Sequence, residues 1–407
     1  MLSNLLFTLS FFSINSSAFL KISLNVFSFK DSFQDKQVKD FFINILDDYK
    51  PNIIHYQHLM FLSTDIIKMA SKKNIHQVIS LHDFWFQCLT HKRITNENKL
   101  CVNPTIEKCT KCHLNLINRT LPMPPLKMDS INIMPFLRNT ALLARINKYK
   151  KRMRNLTDYY FYRNKLSSQV KYRINTFKEV LKLVDAVVYP TKFLQTELYK
   201  WGIKGKNNLI SNDGIQNKYF DNFEKKKSKI IRFGFIGSIV HAKGLIVLVQ
   251  AWKKINSDRA VLKIYGNFSD DPIYAKKVIK IINKCKNIQI KGTFNHDQIG
   301  IVFSQLDVLI VPSTWFENAP LVIRNAFLAK TPVIGTNLGG ISEMITDKKN
   351  GLLFENGNVD DLYNKISYFI QHPKSIEKMG KNCPPQKTII ENALELKSIY
   401  KSLLKSK

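Results

Sequence analysis

The sequence predicts an α/β protein of two domains, each built on a parallel sheet. Three observations predict it. Short apolar runs alternate with helically spaced segments between about residues 52 and 81, and the same alternation returns between 231 and 334. Between the two lies a polar, charged stretch, Gln216 to Lys229, which has the composition of a linker. At 407 residues with 44% apolar residues, the chain can bury two ordinary cores.

In the first half, Leu20 to Phe29 alternates as a strand would, and Val38, Phe41, Phe42, Ile45 and Leu46 have helical spacing. Asn52 to Tyr56 reads as a strand, about 63–72 as a helix, and Val78 to Leu81 as an apolar strand that ends in His82-Asp83. Four prolines in 120–136 predict a loop. Residues 142–160 then read as a helix with one strongly basic face, suited either to an anionic membrane surface or to solvent. Val184 to Thr191 is a further buried strand.

The second half reads as strand Ile231–Gly237, helix Gly244–Ile255, strand Ala260–Tyr265, helix Tyr274–Cys285 and a short strand Ile288–Lys291. After these come strand Val308–Val311, a helix through Leu328, and strand Pro332–Ile334. The boundaries that follow are 1–215 for the first domain, 216–229 for the linker, 230–385 for the second domain, and 386–407 for a terminal helix.

A net charge of +31 favours anionic partners: nucleotides, lipid head groups or acidic glycans. No arginine-rich or RNP-type aromatic motif accompanies it, so nucleic acid is not the expected partner. No stretch approaches the roughly 20 apolar residues of a membrane-spanning helix. The apolar opening, Leu5 to Phe12, lacks a basic region before it, and Ser16-Ser17-Ala18 is a weak cleavage site. The expected location is cytoplasmic, or peripheral on the inner membrane face, where six cysteines stay reduced.

The chemistry centres on Pro312-Ser313-Thr314-Trp315-Phe316-Glu317-Asn318-Ala319-Pro320-Leu321-Val322. A buried strand leads into it, a carboxylate follows in the turn, and Pro320 stands at the start of a helix. A helix start at the carboxyl edge of a parallel sheet suits a diphosphate. Cys88, Cys101, Cys109 and Cys112 form a second cluster. Their spacing suits a structural zinc site pinning the loop after His82, or equally a set of unligated thiols.

Several segments together resemble the retaining glycosyltransferases of family four. They are Phe235-Ile236-Gly237-Ser238 through Lys243-Gly244, Tyr265-Gly266, Pro312 to Pro320, Gly339-Gly340-Ile341-Ser342-Glu343 and Asn350-Gly351-Leu352-Leu353, with Leu81-His82-Asp83-Phe84-Trp85-Phe86-Gln87-Cys88 in the first half. The resemblance runs from about Asn52 to the C-terminus. It implies the GT-B architecture: two Rossmann-like domains facing a cleft, a nucleotide-sugar donor on the second and a glycan or lipid-linked acceptor on the first. It implies Lys243 at the donor diphosphate, Glu317 at the sugar hydroxyls and anomeric centre, and His82 beside the donor sugar. Gly237, Ser238, Asn318, Ala319, Pro320, Leu321, Val322, Asn325, Gly339 and Gly340 would line the donor site.

Two positions depart from the family pattern. Ser238 stands where an arginine is common, and Asn325 where a second glutamate grips the ribose. Residues 1–51 contain no glycine, so the first domain also lacks the expected Gly-Gly loop and reads as incomplete. These departures leave an inactive, sugar-nucleotide- or glycan-binding relative as the alternative to a transferase. No Asp-x-Asp occurs in the second half, so no obligatory divalent metal is expected.

Overall fold

The computed structural model describes residues 7–9, 33–34, 36–60, 62–95, 97–120 and 164–405. The expected strand at 20–29, most of the proline-rich loop and the basic helix 142–160 lie outside these residues.

Among the described residues, two parallel sheets organise the chain, and the strands counted in each are those of the described residues. The first has five strands in sequential order: β1 (Phe7–Leu9), β2 (Ile53–Tyr56), β3 (His76–Ser80), β4 (Ala186–Tyr189) and β5 (Asn207–Ile210). The second has six: β6 (Ile231–Ile236), β7 (Ala260–Tyr265), β8 (Ile288–Gly292), β9 (Val308–Val311), β10 (Val333–Thr336) and β11 (Gly351–Phe354). Their order is β8-β7-β6-β9-β10-β11. Chain order therefore reverses between β6 and β9, which pair through Phe233–Val308 and Gly234–Leu309. In open α/β sheets this reversal opens a crevice beyond the carboxyl ends of the two strands.

Strands covered by helices on both faces need apolar side chains throughout. All four residues of β9 are apolar and buried accordingly; all six of β7 are buried as well, with Lys263 the polar exception, its Nζ 3.2 Å from Gln305 Oε1. One face of the second sheet packs Phe233, Leu262, Ile264, Val308 and Ile310 against helices 245–252, 272–282 and 359–371. The other packs Leu309, Val311 and Val333 against helices 299–304 and 321–328.

Several elements were absent from the reading of the sequence. Ile106–Thr120 is a helix and carries Cys109 and Cys112, so the cysteine segment is not all loop. A helix at 164–181 and the edge strand β5 complete the first domain. The segment 216–229 is no free tether. Phe220 and Phe223 pack beside Phe303, and the Tyr219 carbonyl sits where a Cβ on Gly300 would come within 1.9 Å.

The terminal helix, Ile389–Lys405, lies against the first sheet, with Tyr400 among Ile53, Val78, Ala186 and Val188. The Tyr400 hydroxyl is 2.5 Å from His55 Nδ1, and Ser80 Oγ is 2.9 Å from His55 Nε2. Burial, with a smaller effect from His82, lowers the His55 pKa from 6.5 to about 4. The folded state thus binds fewer protons than the unfolded chain between these values. The stability from this site is present above about pH 6.5 and is lost as pH falls toward 4. Urea midpoints across this range should fall with pH, and His55→Asn should flatten the slope. An unchanged slope would remove His55 as the cause.

Candidate functional site at the cleft

The loop after β6 and the loop after β9 meet at the reversal point. Gly244 has φ of +69°, in the region that favours glycine, and a Cβ there would lie 1.8 Å from the Pro312 carbonyl. Thr314 N donates to Ala242 O at 2.9 Å, joining the two loops. This close approach brings Lys243, the last residue of a 3-10 turn, to Glu317: Nζ is 2.7 Å from Oε1. Lys243 therefore does not stand alone as a cation awaiting an anion.

Glu317 is buried, and the same Oε1 also accepts from Ser313 Oγ at 2.9 Å and Trp315 Nε1 at 2.7 Å. A buried carboxylate needs such donors. The Lys243 ammonium also lies 5.5 Å from the centre of the Trp315 ring. In the sequence alone, Trp315 and Ser313 carry no evident role beside Glu317. An indole N–H two residues before a buried carboxylate was the available signal.

The next residue crosses the cleft. Asn318 Nδ2 donates to the His82 carbonyl at 2.6 Å, and Asn318 Oδ1 is buried with no hydrogen-bond partner among the described residues. His82 follows β3, and its Nε2 is 3.2 Å from Gln57 Oε1. Asp83 shapes this loop by accepting from Trp85 N at 2.8 Å, with His58 Nε2 3.0 Å from its other oxygen. The structure therefore brings His82, Lys243, Glu317 and Asn318 to one cleft.

Gly340 N donates to the Glu317 carbonyl at 2.7 Å, so the Gly339-Gly340 turn lies on the Glu317 loop. Gly339 has φ of +59°. Gly237 N donates to Tyr265 O at 3.1 Å at the end of β6, and Ser238 beside it is exposed. Pro320 precedes the helix Leu321–Leu328, on which Leu321 is exposed, Val322 half-buried and Asn325 buried. Ala319 is half-buried in the preceding turn.

The two domains are also fastened beside the site. Both carboxylate oxygens of Glu343 accept backbone N–H groups at the start of the helix Lys192–Tyr199, from Lys192 at 2.9 Å and Phe193 at 2.8 Å. Phe316 packs on Phe84 and Phe193, and the Arg93 guanidinium stacks 4.7 Å from the Phe316 ring centre. Arg93 is itself buried and paired with Glu197.

The expected zinc site needs correction. Cys88, Cys101, Cys109 and Cys112 line one cavity of about 330 Å³, without disulfides. Among the described residues, however, no three His, Cys, Asp or Glu side chains form a set that could hold a metal. Residues 106–120 form a helix, which places Cys109 and Cys112 one turn apart in the cavity wall, and burial raises the Cys109 thiol to about 12. No helix among the described residues is long and apolar enough to cross a membrane.

Residues 216–384 match the family described as glycosyl transferases group 1. Among curated proteins, the chain is 28% identical over 209 residues to an uncharacterized glycosyltransferase of Methanocaldococcus jannaschii, covering 51% of this chain and 55% of that one. The chain thus spans about half the length of that relative. Among solved structures it is similar to sucrose-phosphate synthase from Thermosynechococcus elongatus, with a TM-score of 0.60 at 16% identity, over 91% of this chain and 78% of that one. It is also similar to Anabaena HepE in complex with UDP and glucose, with a TM-score of 0.56 at 13% identity, over 89% and 81% of the two chains. At these identities the likeness is one of fold, and the fold is GT-B.

Proposed function

From the premise that residues 216–384 belong to the glycosyl transferases group 1 family, we propose that the protein transfers a sugar from a nucleoside-diphosphate sugar to a glycan or lipid-linked acceptor, with retention at the anomeric carbon. The observation that carries this reading is the Lys243–Glu317 pair at the reversal point of the second sheet, joined by Asn318 to the backbone of His82 across the cleft.

In the transfer, the bond from the anomeric carbon to the diphosphate oxygen breaks. A bond from the acceptor oxygen to that carbon forms, and the acceptor's proton leaves with the nucleoside diphosphate. Charge builds on the leaving diphosphate, and a preorganised cation at the cleft stabilises it. In this reading Lys243 is that cation, Glu317 holds sugar hydroxyls and supports charge at the anomeric carbon, and His82 lies beside the sugar. Gly237, Ser238 and the Gly339-Gly340 turn bring backbone close to the donor, and Asn318 through Val322 with Asn325 complete its pocket. The net charge of +31 supports an anionic acceptor or membrane surface at the cytoplasmic side.

A second reading, a relative that binds nucleotide sugars without turnover, is favoured by Ser238 and Asn325, uncharged where the resembling family carries charge. The test is thermal stability against UDP, GDP and ADP and their glucose, mannose and N-acetylglucosamine conjugates, followed by assay for nucleotide release. UDP comes first because the HepE neighbour holds it. A ligand at 100 times its Kd contributes about 2.7 kcal/mol. Stabilisation with release supports the transferase, and stabilisation without release in the presence of acceptor glycans supports the second reading. No stabilisation by any nucleotide in the folded protein overturns both.

A further inference from the structure

Behind the cleft histidine stands Gln57, a half-buried residue just past β2. Its Oε1 is 3.2 Å from His82 Nε2. A carboxamide oxygen only accepts hydrogen bonds, so this contact requires the proton on His82 Nε2. The other ring nitrogen, Nδ1, faces Asp213 Oδ2 at 3.7 Å, a carboxylate that would draw the proton to the opposite side. The two neighbours thus compete for the ring's tautomer, and Gln57 has the shorter contact.

Gln57 is held in turn. Its Nε2 lies 3.4 Å from both ring nitrogens of His55, the ring fixed by Tyr400 Oη at 2.5 Å and Ser80 Oγ at 2.9 Å. Tyr400 belongs to the terminal helix, beyond the segment that matches the family.

We infer that Gln57 is a positioning residue for His82, that it keeps the proton on Nε2 and the ring in one orientation toward the cleft, and that His55 and Tyr400 anchor it. The inference deepens the transferase reading and rests on His82 serving the donor. A histidine whose tautomer is set by its second hydrogen bond presents a defined donor or acceptor to a ligand. With the proton on Nε2, Nδ1 beside Asp213 is left as an acceptor, and a ligand hydroxyl reaching it would donate to that nitrogen.

The test needs no donor. In full-length protein labelled with ¹⁵N-histidine, two-bond ¹H–¹⁵N correlations at about pH 8, above the ordinary histidine pKa of about 6.5, report each ring's tautomer. His82→Gln assigns the signal. The wild type and Gln57→Glu, which keeps an acceptor oxygen, are expected to show His82 protonated at Nε2. Gln57→Leu and Gln57→Met are expected to move the proton toward Nδ1. A wild-type His82 protonated at Nδ1, or a His82 signal unchanged in both apolar variants, would overturn the inference. Thermal stabilisation by UDP, measured on the same samples, reports separately on the donor-binding reading.

Discussion

Gly340→Ala should cost more than about 3 kcal/mol and abolish any nucleotide response, even in protein recovered folded. A Cβ at this position would lie 1.5 Å from the Asn318 carbonyl oxygen, 2.5 Å from its carbon and 2.9 Å from the Glu317 carbonyl oxygen. These are backbone atoms, so no change of rotamer relieves the clash. Ordinary overpacking costs about 1–3 kcal/mol because side chains can shift. Here the Glu317–Asn318 backbone must move instead. That segment is fixed by Gly340 N on Glu317 O, by three donors on the Glu317 carboxylate, and by Asn318 on His82. Thermal or urea denaturation beside the wild type measures the loss. A cost below about 1 kcal/mol would mean that the loop yields without disturbing its neighbours.

Lys243→Ala should have the opposite signature, with the fold kept and function lost. Removing one partner of a buried ion pair is usually severe because the other charge is stranded. Glu317 is not stranded, since Ser313 and Trp315 still donate to the same oxygen. Lys243 is itself partly open to solvent, with its side chain 29% exposed. Stability should fall by no more than about 1–2 kcal/mol, within the ordinary range for point substitutions. Removing one preorganised donor that stabilises developing charge typically costs about 10²–10³ in kcat, and loss of a cation at the leaving group should cost at least as much. The expected result is near-wild-type denaturation together with at least a hundredfold fall in nucleotide release and loss of stabilisation by UDP. Retained turnover would remove Lys243 from the proposed machinery.

The second domain was legible because its signals are local. Val308–Val311 is an unbroken apolar run that suits a strand covered on both faces, and its observed bounds match those expected. The strand Ala260–Tyr265 matches as well. The first domain was less legible. In Ile106–Thr120 the residues Ile106, Cys109 and Leu114 face an apolar cluster with Leu166, Val170 and Ile174. Cys109 and Cys112 invited a metal reading of a spacing that also fits a helix turn. β5, Asn-Asn-Leu-Ile, is an edge strand with little burial and carries no strong pattern.

At the site, the residue types were readable but their partners were not. Nothing local in the sequence says that Lys243 meets Glu317, 74 positions away, or that Gln57 stands behind His82. Those pairings come from the strand order, which places the ends of β6 and β9 side by side in one sheet and those of β2 and β3 side by side in the other.

The helix Lys192–Tyr199 begins with two amides that its own turn cannot satisfy, and the chain supplies the missing acceptor from the other domain as Glu343. Thr191 satisfies the next amide locally, through its side chain. The helix is therefore only partly finished by its own domain and is completed when the two lobes sit together. The seating of the two domains and local helix order become one variable. A ligand that wedges the lobes apart must leave two amide protons open to solvent exchange, and one that draws them together returns both to shelter.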